Sequence, residues 1–298
     1  MKKYDVAILG GGPGGYVAAI RAAQLGKSTA IIDKDKLGGI CLNWGCIPTK
    51  ALLKNAEVLH YVKNSKQFGI NIPNYSVNFN ETIKRSRDVS KRLSKGIEFL
   101  MKKNQIDHIK GRGVFKSDKE IEVINGKNKE LVKADKIIIA TGARSRVLKD
   151  MEPDGKRIIT SKEAMNLKEV PKRMLIIGAG AIGAEFAYFY NQYGSKIHLI
   201  EMMDNILPIE DEDISKEVER SFISSGIKIY KKTRVIKIKK LKTKLKVHVE
   251  TSGQENIIET DIVLNAVGVI GNIEKIGLED IGLNTKNNAI SINDYNQT

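Results

Sequence analysis

The sequence is poor in the features that mark secreted and membrane proteins. Its 298 residues include two cysteines and six prolines, and no apolar run is long enough to cross a membrane. The apolar stretch after Lys3 is broken by Gly10 and again by Arg21, whereas a signal peptide needs an unbroken stretch and a cleavage site. We therefore expect a cytoplasmic protein, at most peripheral to a membrane. In that compartment two close cysteines are more often catalytic or metal-binding than structural.

Acidic residues are scarce relative to basic ones. Lysine and arginine number 50 against 35 aspartates and glutamates, which gives a formal net charge of +15. Such a charge can attract nucleic acid. The basic residues are, however, spread over nearly every segment, and no nucleic-acid-binding motif accompanies them. We interpret them as solvated surface and predict neither a nucleic-acid nor a membrane partner.

The chain contains an internal repeat of the form strand, glycine turn, helix, strand, acid. The first copy runs from Asp5 to Asp33 and the second from Met174 to Glu201. From first glycine to acid the distance is 33 − 10 = 23 residues in one copy and 201 − 178 = 23 in the other. The three glycines of the two turns are Gly10, Gly12 and Gly15, and Gly178, Gly180 and Gly183.

This arrangement is typical of dinucleotide binding. The first glycine makes a tight turn, the second lets the backbone approach a pyrophosphate, and the third lets helix and strand pack closely. The helix start faces the phosphates, and the acid accepts hydrogen bonds from ribose hydroxyls. Two copies predict two dinucleotides, a tightly held flavin and an exchangeable nicotinamide. Glu201, with no arginine in the following Met202 to Asn205, favours NAD over NADP.

The two cysteines lie directly after the first repeat. Cys41 and Cys46 are followed by Pro48, which suits a first helical turn, so the helix is expected from about Ile47. A thiolate at Cys46 would face unpaired amides, and Lys50 would add positive charge. Zinc binding lacks two further ligands with suitable spacing. A structural disulfide or two buried thiols stay as alternatives, but a redox-active pair is favoured.

The segment Gly38-Gly39-Ile40-Cys41-Leu42-Asn43-Trp44-Gly45-Cys46-Ile47-Pro48-Thr49-Lys50 resembles the pyridine nucleotide–disulfide oxidoreductase family. Within that family it is most similar to the branch that oxidises protein-bound dihydrolipoyl groups with NAD through FAD. The resemblance implies that Cys41 exchanges with the substrate dithiol and that Cys46 lies against the flavin. It also implies that Lys50 sits near the flavin and pairs with Glu185, and that the protein serves redox homeostasis.

Further segments match the same family in order along the chain. Gly111-Arg112-Gly113 is similar to the segment near the FAD adenine. The turns Ala140-Thr141-Gly142 and Ala266-Val267-Gly268 each follow an apolar strand. Ordinary loops after strands could produce any one of them, and only their order supports the resemblance. The resemblance thus adds Gly113, Thr141, Gly142 and Gly268 to the predicted cofactor-binding residues.

The family pattern continues beyond Thr298, with a second FAD-contacting element and an interface domain that carries a His–Glu pair across a homodimer. We therefore expect a fragment or a shortened reading frame with little activity on its own. His60, His108, His198 and His248 fit no such pair and are expected to be structural or exposed. The implied partners are the lipoyl-bearing subunits of 2-oxo acid dehydrogenase or glycine cleavage complexes.

These observations predict two Rossmann-like, three-layer α/β domains with parallel central sheets. The FAD domain is expected at residues 1–151, the NAD domain at 152–270, and the start of a return to the FAD domain at 271–298. The expected function is that of a flavoprotein disulfide oxidoreductase acting on dihydrolipoyl groups. The alternatives are a reductase for glutathione or mercuric ion, and an inert flavin-binding fragment. No metal is predicted.

Overall fold

A computed structural model describes residues 2–298, in which stretches of alternating strands and helices are followed by runs of consecutive strands. The strands are β1 (Lys2–Leu9), β2 (Thr29–Asp33), β3 (Asp107–Lys110), β4 (Arg112–Ser117), β5 (Glu120–Asn125), β6 (Asn128–Ile139), β7 (Ala143–Ser145), β8 (Ile158–Ile159), β9 (Arg173–Ile177), β10 (Lys196–Ile200), β11 (Lys228–Tyr230), β12 (Thr233–Lys240), β13 (Leu245–Thr251), β14 (Gln254–Thr260), β15 (Ile262–Asn265), β16 (Val269–Gly271), β17 (Thr285–Lys286) and β18 (Ala289–Ile290). The helices are α1 (Pro13–Gln24), α2 (Gly39–Trp44), α3 (Cys46–Lys63), α4 (Phe79–Lys103), α5 (Ser161–Ala164), α6 (Ala181–Gln192) and α7 (Glu212–Ser224), with short 3₁₀ turns at Ser65–Phe68 and Glu279–Ile281.

The chain divides into two compact units. Unit 1 comprises Met1–Ile47, Asp88–Arg144 and Val269–Thr298, and unit 2 comprises Pro48–Arg87 and Ser145–Gly268. The divisions at Arg144 and Gly268 lie near the expected domain limits of 151 and 270. Residues 48–87, which the sequence analysis placed in the first domain, group with unit 2 instead. Boundaries therefore fall inside α3 and α4, because each helix begins in one unit and ends in the other.

The sheet of unit 1 has the strand order β3-β2-β1-β6-β5-β4. Its first four strands are parallel, whereas β5 and β4 continue it antiparallel and were not part of the expected parallel sheet. Successive side chains of a strand point to opposite faces. Ile8 and Ile31 accordingly pack with Ala19 of α1 and Met101 of α4. The other face packs against a second apolar cluster, which includes Phe115, Val132, Ile276 and Leu278.

The sheet of unit 2 is parallel throughout, in the order β11-β10-β9-β15-β8. Ile176 and Leu199 pack on one face against Phe186 and Tyr190 of α6. The other face is covered by the antiparallel strands β12-β13-β14, which contribute Leu245, Val247 and Val249. Helix, parallel sheet and antiparallel sheet thus form the three layers, and the predicted α/β fold with parallel central strands is confirmed.

The repeat seen in the sequence is also a repeat of topology. Strands β3-β2-β1-β6 of unit 1 correspond in order and direction to β11-β10-β9-β15 of unit 2. In each unit a glycine turn connects the central strand to the helix that follows. Parallel α/β sheets bind ligands beyond the carboxyl ends of their strands, so this edge of each unit is where the site is built.

Candidate functional site

The first glycine turn joins β1 to α1, and its three glycines have different surroundings. Gly10 has φ +114°, and a Cβ there would overlap the carbonyl oxygen of Ala140. A Cβ on Gly15 would overlap the carbonyl oxygen of Gly10. A Cβ on Gly12 would meet nothing nearer than Gly39 Cα, at 3.8 Å. The outer glycines are therefore required by packing, whereas a Cβ on the middle one would make only an ordinary van der Waals contact.

The second turn, between β9 and α6, repeats this pattern. Gly178 has φ +96°, and its Cβ would lie 2.5 Å from the carbonyl oxygen of Ala266. A Cβ on Gly183 would overlap the carbonyl oxygen of Gly178, whereas Gly180 has nothing within 4 Å of that position. No protein atom would clash with a Cβ at Gly12 or Gly180, so packing does not require glycine at these positions. A ligand could approach the backbone there, at the start of a helix, where amide dipoles favour an anion.

The two predicted acids lie at the ends of β2 and β10. Asp33 Oδ2 accepts a hydrogen bond from the Gly11 amide. Glu201 is buried, and its Oε2 accepts from the Ala179 amide at 2.7 Å. Each acid is therefore bonded to the glycine turn of its own unit, a contact that the sequence analysis did not predict.

Unit 1 contains a cavity of about 490 Å³ at the carboxyl edge of its sheet. The predicted residues Gly10, Asp33, Gly113 and Thr141 line it. Gly142, next to Thr141, is not among the lining residues, but its carbonyl accepts a hydrogen bond from the Asn272 amide at 2.9 Å. Gly111 and Arg112, from the segment that resembles the region near the FAD adenine, also line it. The unpredicted lining residues are Leu9, Ile32, Lys34, Arg144, Asn272, Glu274, Lys275 and Ile276.

Arg144 forms hydrogen bonds with two other lining residues of this cavity, Asn272 and Glu274. Its Nη2 donates to Glu274 Oε1 at 2.7 Å and its Nη1 to Glu274 Oε2 at 3.0 Å, the two-pronged geometry that arginine favours. Nη1 also lies 3.1 Å from Asn272 Oδ1. The Arg144 guanidinium lowers the pKa of Glu274 to about 2. These bonds link Arg144, which follows β6, to Glu274, which follows β16. The two residues are 130 positions apart, and no local sequence pattern predicts their pairing.

The cysteine segment is attached to the first glycine turn. The Gly38 amide donates to the Gly11 carbonyl at 2.8 Å. Gly39, the first residue of α2, packs so closely on Gly12 that a Cβ there would lie 2.6 Å from Gly12 Cα. Helix α2 carries half-buried Cys41, and exposed Cys46 is the first residue of α3; both are thiols in the structure.

Helix α4 holds α2 from the side. Ser90 Oγ donates to the Leu42 carbonyl at 2.5 Å, and Ser94 Oγ donates to Asn43 Oδ1 at 3.1 Å. Ser86, Ser90 and Ser94 are all buried. Small polar residues spaced four apart on one helical face are a sequence signal that could have identified this support.

Tyr16 of α1 is a further residue of the thiol site. Burial raises its pKa, and the neighbouring Cys41 and Cys46 raise it further. Tyr16 and Cys41 pack against the same apolar cluster. Tyr16 falls in the apolar helix of the first repeat, where its spacing suggests only packing, so no sequence motif marks it.

In unit 2, Lys50 of α3 pairs with Glu185 of α6. The Nζ–Oε1 distance is 2.6 Å, and the side chains are 62% and 25% exposed. This pairing, which the resemblance implied, links two helices 135 residues apart in sequence. Gly268, predicted at the turn after β15, has φ +97°, and its carbonyl accepts from the Arg146 amide at 2.9 Å.

The histidines occupy structural or exposed positions. His198 of β10 stacks on Tyr230 and its Nδ1 lies 3.0 Å from the Tyr230 hydroxyl. Burial lowers its pKa, and the charges of Lys228 and Arg173 lower it further. Across residues 2–298 no three His, Cys, Asp or Glu side chains are grouped to hold a metal. No helix in that range is long and apolar enough to cross a membrane.

Sequence comparison assigns the chain to a class. It belongs to the pyridine nucleotide-disulphide oxidoreductase family, whose sequence model matches residues 4–298. It is 44% identical to the dihydrolipoyl dehydrogenase of Rhizobium etli over 316 residues, covering 100% of this chain and 65% of that protein. The dihydrolipoyl dehydrogenase of Bacillus subtilis is 41% identical over 307 residues, covering 99% of this chain and 65% of that one.

The fold is also similar to that of solved structures. LpdA from Mycobacterium tuberculosis matches with a TM-score of 0.89 and 26% identity, covering 98% of this chain and 64% of that chain. A copper(II) complex of RclA, an HOCl-induced flavoprotein disulfide reductase from Escherichia coli, matches with a TM-score of 0.84 and 26% identity, covering 98% and 63%. The chain therefore spans between 63% and 65% of the length of these four proteins.

Proposed function

We propose that this chain carries the FAD-binding, NAD-binding and thiol-exchange parts of a dihydrolipoyl dehydrogenase. The observation that carries the proposal is the attachment of the cysteine segment to the first glycine turn. The Gly38 amide donates a hydrogen bond to the Gly11 carbonyl, and Gly39 packs on Gly12. Cys41 is therefore only two residues from a contact with the first glycine turn. A thiol pair fixed beside a dinucleotide turn suits two-electron exchange between sulfur and a bound flavin.

The residues present fit the two cofactors. In unit 1, the FAD pyrophosphate would be held by Gly10, Gly12 and Gly15 and the ribose by Asp33. Gly113 and Thr141 line the cavity, and Gly142 is next to Thr141 in sequence. In unit 2, Gly178, Gly180 and Gly183 would hold the NAD pyrophosphate, with Glu201 and Gly268 beside it. The absence of a clash at the Cβ positions of Gly12 and Gly180 supports this assignment, since packing alone would allow a side chain there and the phosphates would not.

The thiol chemistry is proposed as an exchange that starts from a Cys41–Cys46 disulfide. One thiolate of a dihydrolipoyl group attacks Cys41 Sγ, the Cys41–Cys46 bond breaks, and Cys46 leaves as a thiolate. The second substrate thiolate then attacks the substrate sulfur bound to Cys41. The substrate departs as a disulfide, Cys41 is released as a thiolate, and the two electrons remain on the cysteine pair. The helix start at Cys46 favours its negative charge.

The chemistry that FAD and NAD supply when bound is acceptance of those two electrons and their transfer onward as a hydride. Lys50 and Glu185 are proposed as further catalytic residues on the strength of the family resemblance and of their observed ion pair. Lys50 would supply positive charge, and Glu185 would hold its ammonium in place.

Substrate and partners are proposed from the relatives. The names of the Rhizobium etli and Bacillus subtilis proteins support dihydrolipoyl groups as the substrate. We infer that the partners are the lipoyl-bearing subunits of 2-oxo acid dehydrogenase or glycine cleavage complexes, and that the whole protein acts as a homodimer. A cysteine pair that must be reduced in each cycle suits the cytoplasm.

The proposal is tested by the visible spectrum of the purified chain, recorded before and after anaerobic addition of NADH or NADPH. We expect flavin absorption, and a long-wavelength band that develops with NADH and not with NADPH. Cys46→Ser should keep the flavin absorption and lose the long-wavelength band, since the band requires a thiolate against the flavin.

Other outcomes separate the alternatives. A response to NADPH in place of NADH would favour another disulfide reductase, as the likeness to RclA allows. Bound flavin that responds to neither nucleotide would indicate a flavin-binding piece without turnover. A colourless protein that takes up no added FAD would contradict the proposal.

A further inference from the structure

Each of the two acids accepts hydrogen bonds from two backbone amides at the same sequence offsets. Asp33 accepts from Gly11, 22 residues earlier, and from Asp35, two residues later. Glu201 accepts from Ala179, 22 residues earlier, and from Met203 at 2.9 Å, two residues later. Because the same hydrogen-bond pattern occurs in both units, we interpret it as a property of this fold and not as a chance contact.

The residue after the first glycine of each turn, Gly11 or Ala179, has a second backbone contact through its carbonyl group. The Ala179 carbonyl accepts from the Leu207 amide at 2.8 Å, as the Gly11 carbonyl accepts from Gly38. Leu207 adopts a φ of +48°, which is uncommon for a residue other than glycine, while Ile206 beside it is fully buried. The backbone of Ala179 is therefore fixed by two contacts from the segment that follows β10.

Burial makes the Glu201 contact important to the turn. The residue is only 8% exposed, and a buried carboxylate is costly unless it is hydrogen-bonded. The Ala179 and Met203 amides supply such bonds, which are stronger to a charged acceptor than to a neutral one. Without the carboxylate, the amide of buried Ala179 would lose its partner, and an unpaired buried donor favours another backbone conformation.

We propose that Glu201 is a positioning residue for the phosphate-binding turn, in addition to being a ligand of the ribose hydroxyls. It holds Gly178 to Gly183 in the shape that receives a pyrophosphate before any nucleotide arrives. The inference rests on the proposed function in taking NAD as the nucleotide of unit 2. The pyrophosphate is common to every form of the dinucleotide, so the part of the affinity that Glu201 contributes through the turn does not depend on the ribose substituents.

The two roles of Glu201 predict different results with an NAD analogue that lacks both hydroxyls on its adenosine ribose. A residue that acts only on those hydroxyls contributes nothing to binding of this analogue. A residue that also shapes the turn contributes to it. We therefore expect Glu201→Ala to weaken the dideoxy analogue by about tenfold or more, and NADH by a larger factor.

The experiment measures dissociation constants of NADH, NADPH and the dideoxy analogue by calorimetry on the full chain. Glu201→Gln should give intermediate losses, because its amide group keeps one acceptor oxygen. Glu210→Gln removes a charge from the same segment without touching the turn and should bind all three ligands as the parent chain does. Unchanged affinity of Glu201→Ala for the dideoxy analogue would overturn the proposal.

Hydrogen exchange without nucleotide gives a second readout. In Glu201→Ala the amides of Ala179 and Met203 should exchange faster, while the paired amides of β9 and β10 stay slow and show that unit 2 is folded. Equal exchange at Ala179 in both chains would refute the positioning role. If the parent chain bound neither NADH nor NADPH, the proposed function would fail, while the exchange measurement would still decide whether Glu201 holds the turn.

Discussion

The middle and last glycines of a nucleotide turn are required for different physical reasons. Gly183 cannot carry a Cβ because the carbonyl of Gly178 occupies that position, so the constraint comes from the protein itself. Gly180 has open space at its Cβ and a φ of −71°, which any residue can adopt. We propose that its constraint comes from a ligand that approaches the backbone there.

This difference predicts opposite consequences for two alanine substitutions. Gly183→Ala should destabilise unit 2 by about 2 kcal/mol or more, because the new methyl group forces the start of α6 away from the turn. Gly180→Ala should leave the urea midpoint nearly unchanged and should weaken NADH binding. Urea unfolding and calorimetry with NADH measure the two effects. Equal destabilisation by both substitutions would show that Gly180 is retained for packing and not for a ligand.

The site residues that could be predicted from sequence differ from those that could not in the sequence separation between contacting residues. The glycines and acids could be predicted because the turn, its helix and its acid lie within about 25 residues of one another, where spacing reports geometry. Arg144 and Glu274 are 130 residues apart. Neither stands in a recognisable motif, so their pairing depends on a chain path that spacing does not encode.

At the scale of elements, the start of the helix after the cysteines could be predicted from sequence: α3 begins at Cys46, one residue before the expected Ile47. Helix α4 covers Phe79–Lys103. The sequence could not show that α4 supports α2 through serine hydroxyls. Such bonds require knowledge of which face of α4 meets α2, and this is set by the packing of both helices on the β1-β2 sheet.

The pair of Lys50 and Glu185 connects α3 to α6 across a partly solvated space. Pairs of this exposure contribute about 0–1 kcal/mol to stability. We therefore expect Glu185→Gln to change the free energy of unfolding by less than about 1 kcal/mol and to slow reduction of the bound flavin by NADH. Urea unfolding and stopped-flow absorbance provide the two measurements.

A matched control for this prediction lies on the same helix. Lys54 and Glu57 of α3 form an exposed pair at 3.0 Å. Glu57→Gln should have a similarly small effect on stability and no effect on flavin reduction. If Glu185→Gln lowered stability by several kcal/mol and left the reduction rate intact, the pair would be structural and its proposed catalytic role would be wrong.

At the scale of the whole molecule, the same four-strand unit is used twice, with different additions. Unit 1 extends its parallel strands with antiparallel β5 and β4, and unit 2 covers its sheet with β12-β13-β14. The chain enters unit 2 inside α3 and returns to unit 1 inside α4. It enters unit 2 again at Ser145 and ends in unit 1 from Val269 onward. A linear reading of domains cannot anticipate this path, because α3 and α4 look continuous in sequence and are continuous in structure.

The assignment of FAD to unit 1 and NAD to unit 2 is a prediction about the whole molecule. A ligand protects the amides at its own site, because their opening then requires the ligand to dissociate. We expect NADH, added to the flavin-loaded chain, to slow hydrogen exchange in Gly178 to Gly183 and to leave Gly10 to Gly15 unchanged. NADPH at the same concentration should protect neither turn, since buried Glu201 disfavours a 2′-phosphate. Protection of Gly10 to Gly15 by NADH would reverse the assignment, and the cysteine segment attached to Gly11 and Gly12 would then lie beside the nicotinamide nucleotide.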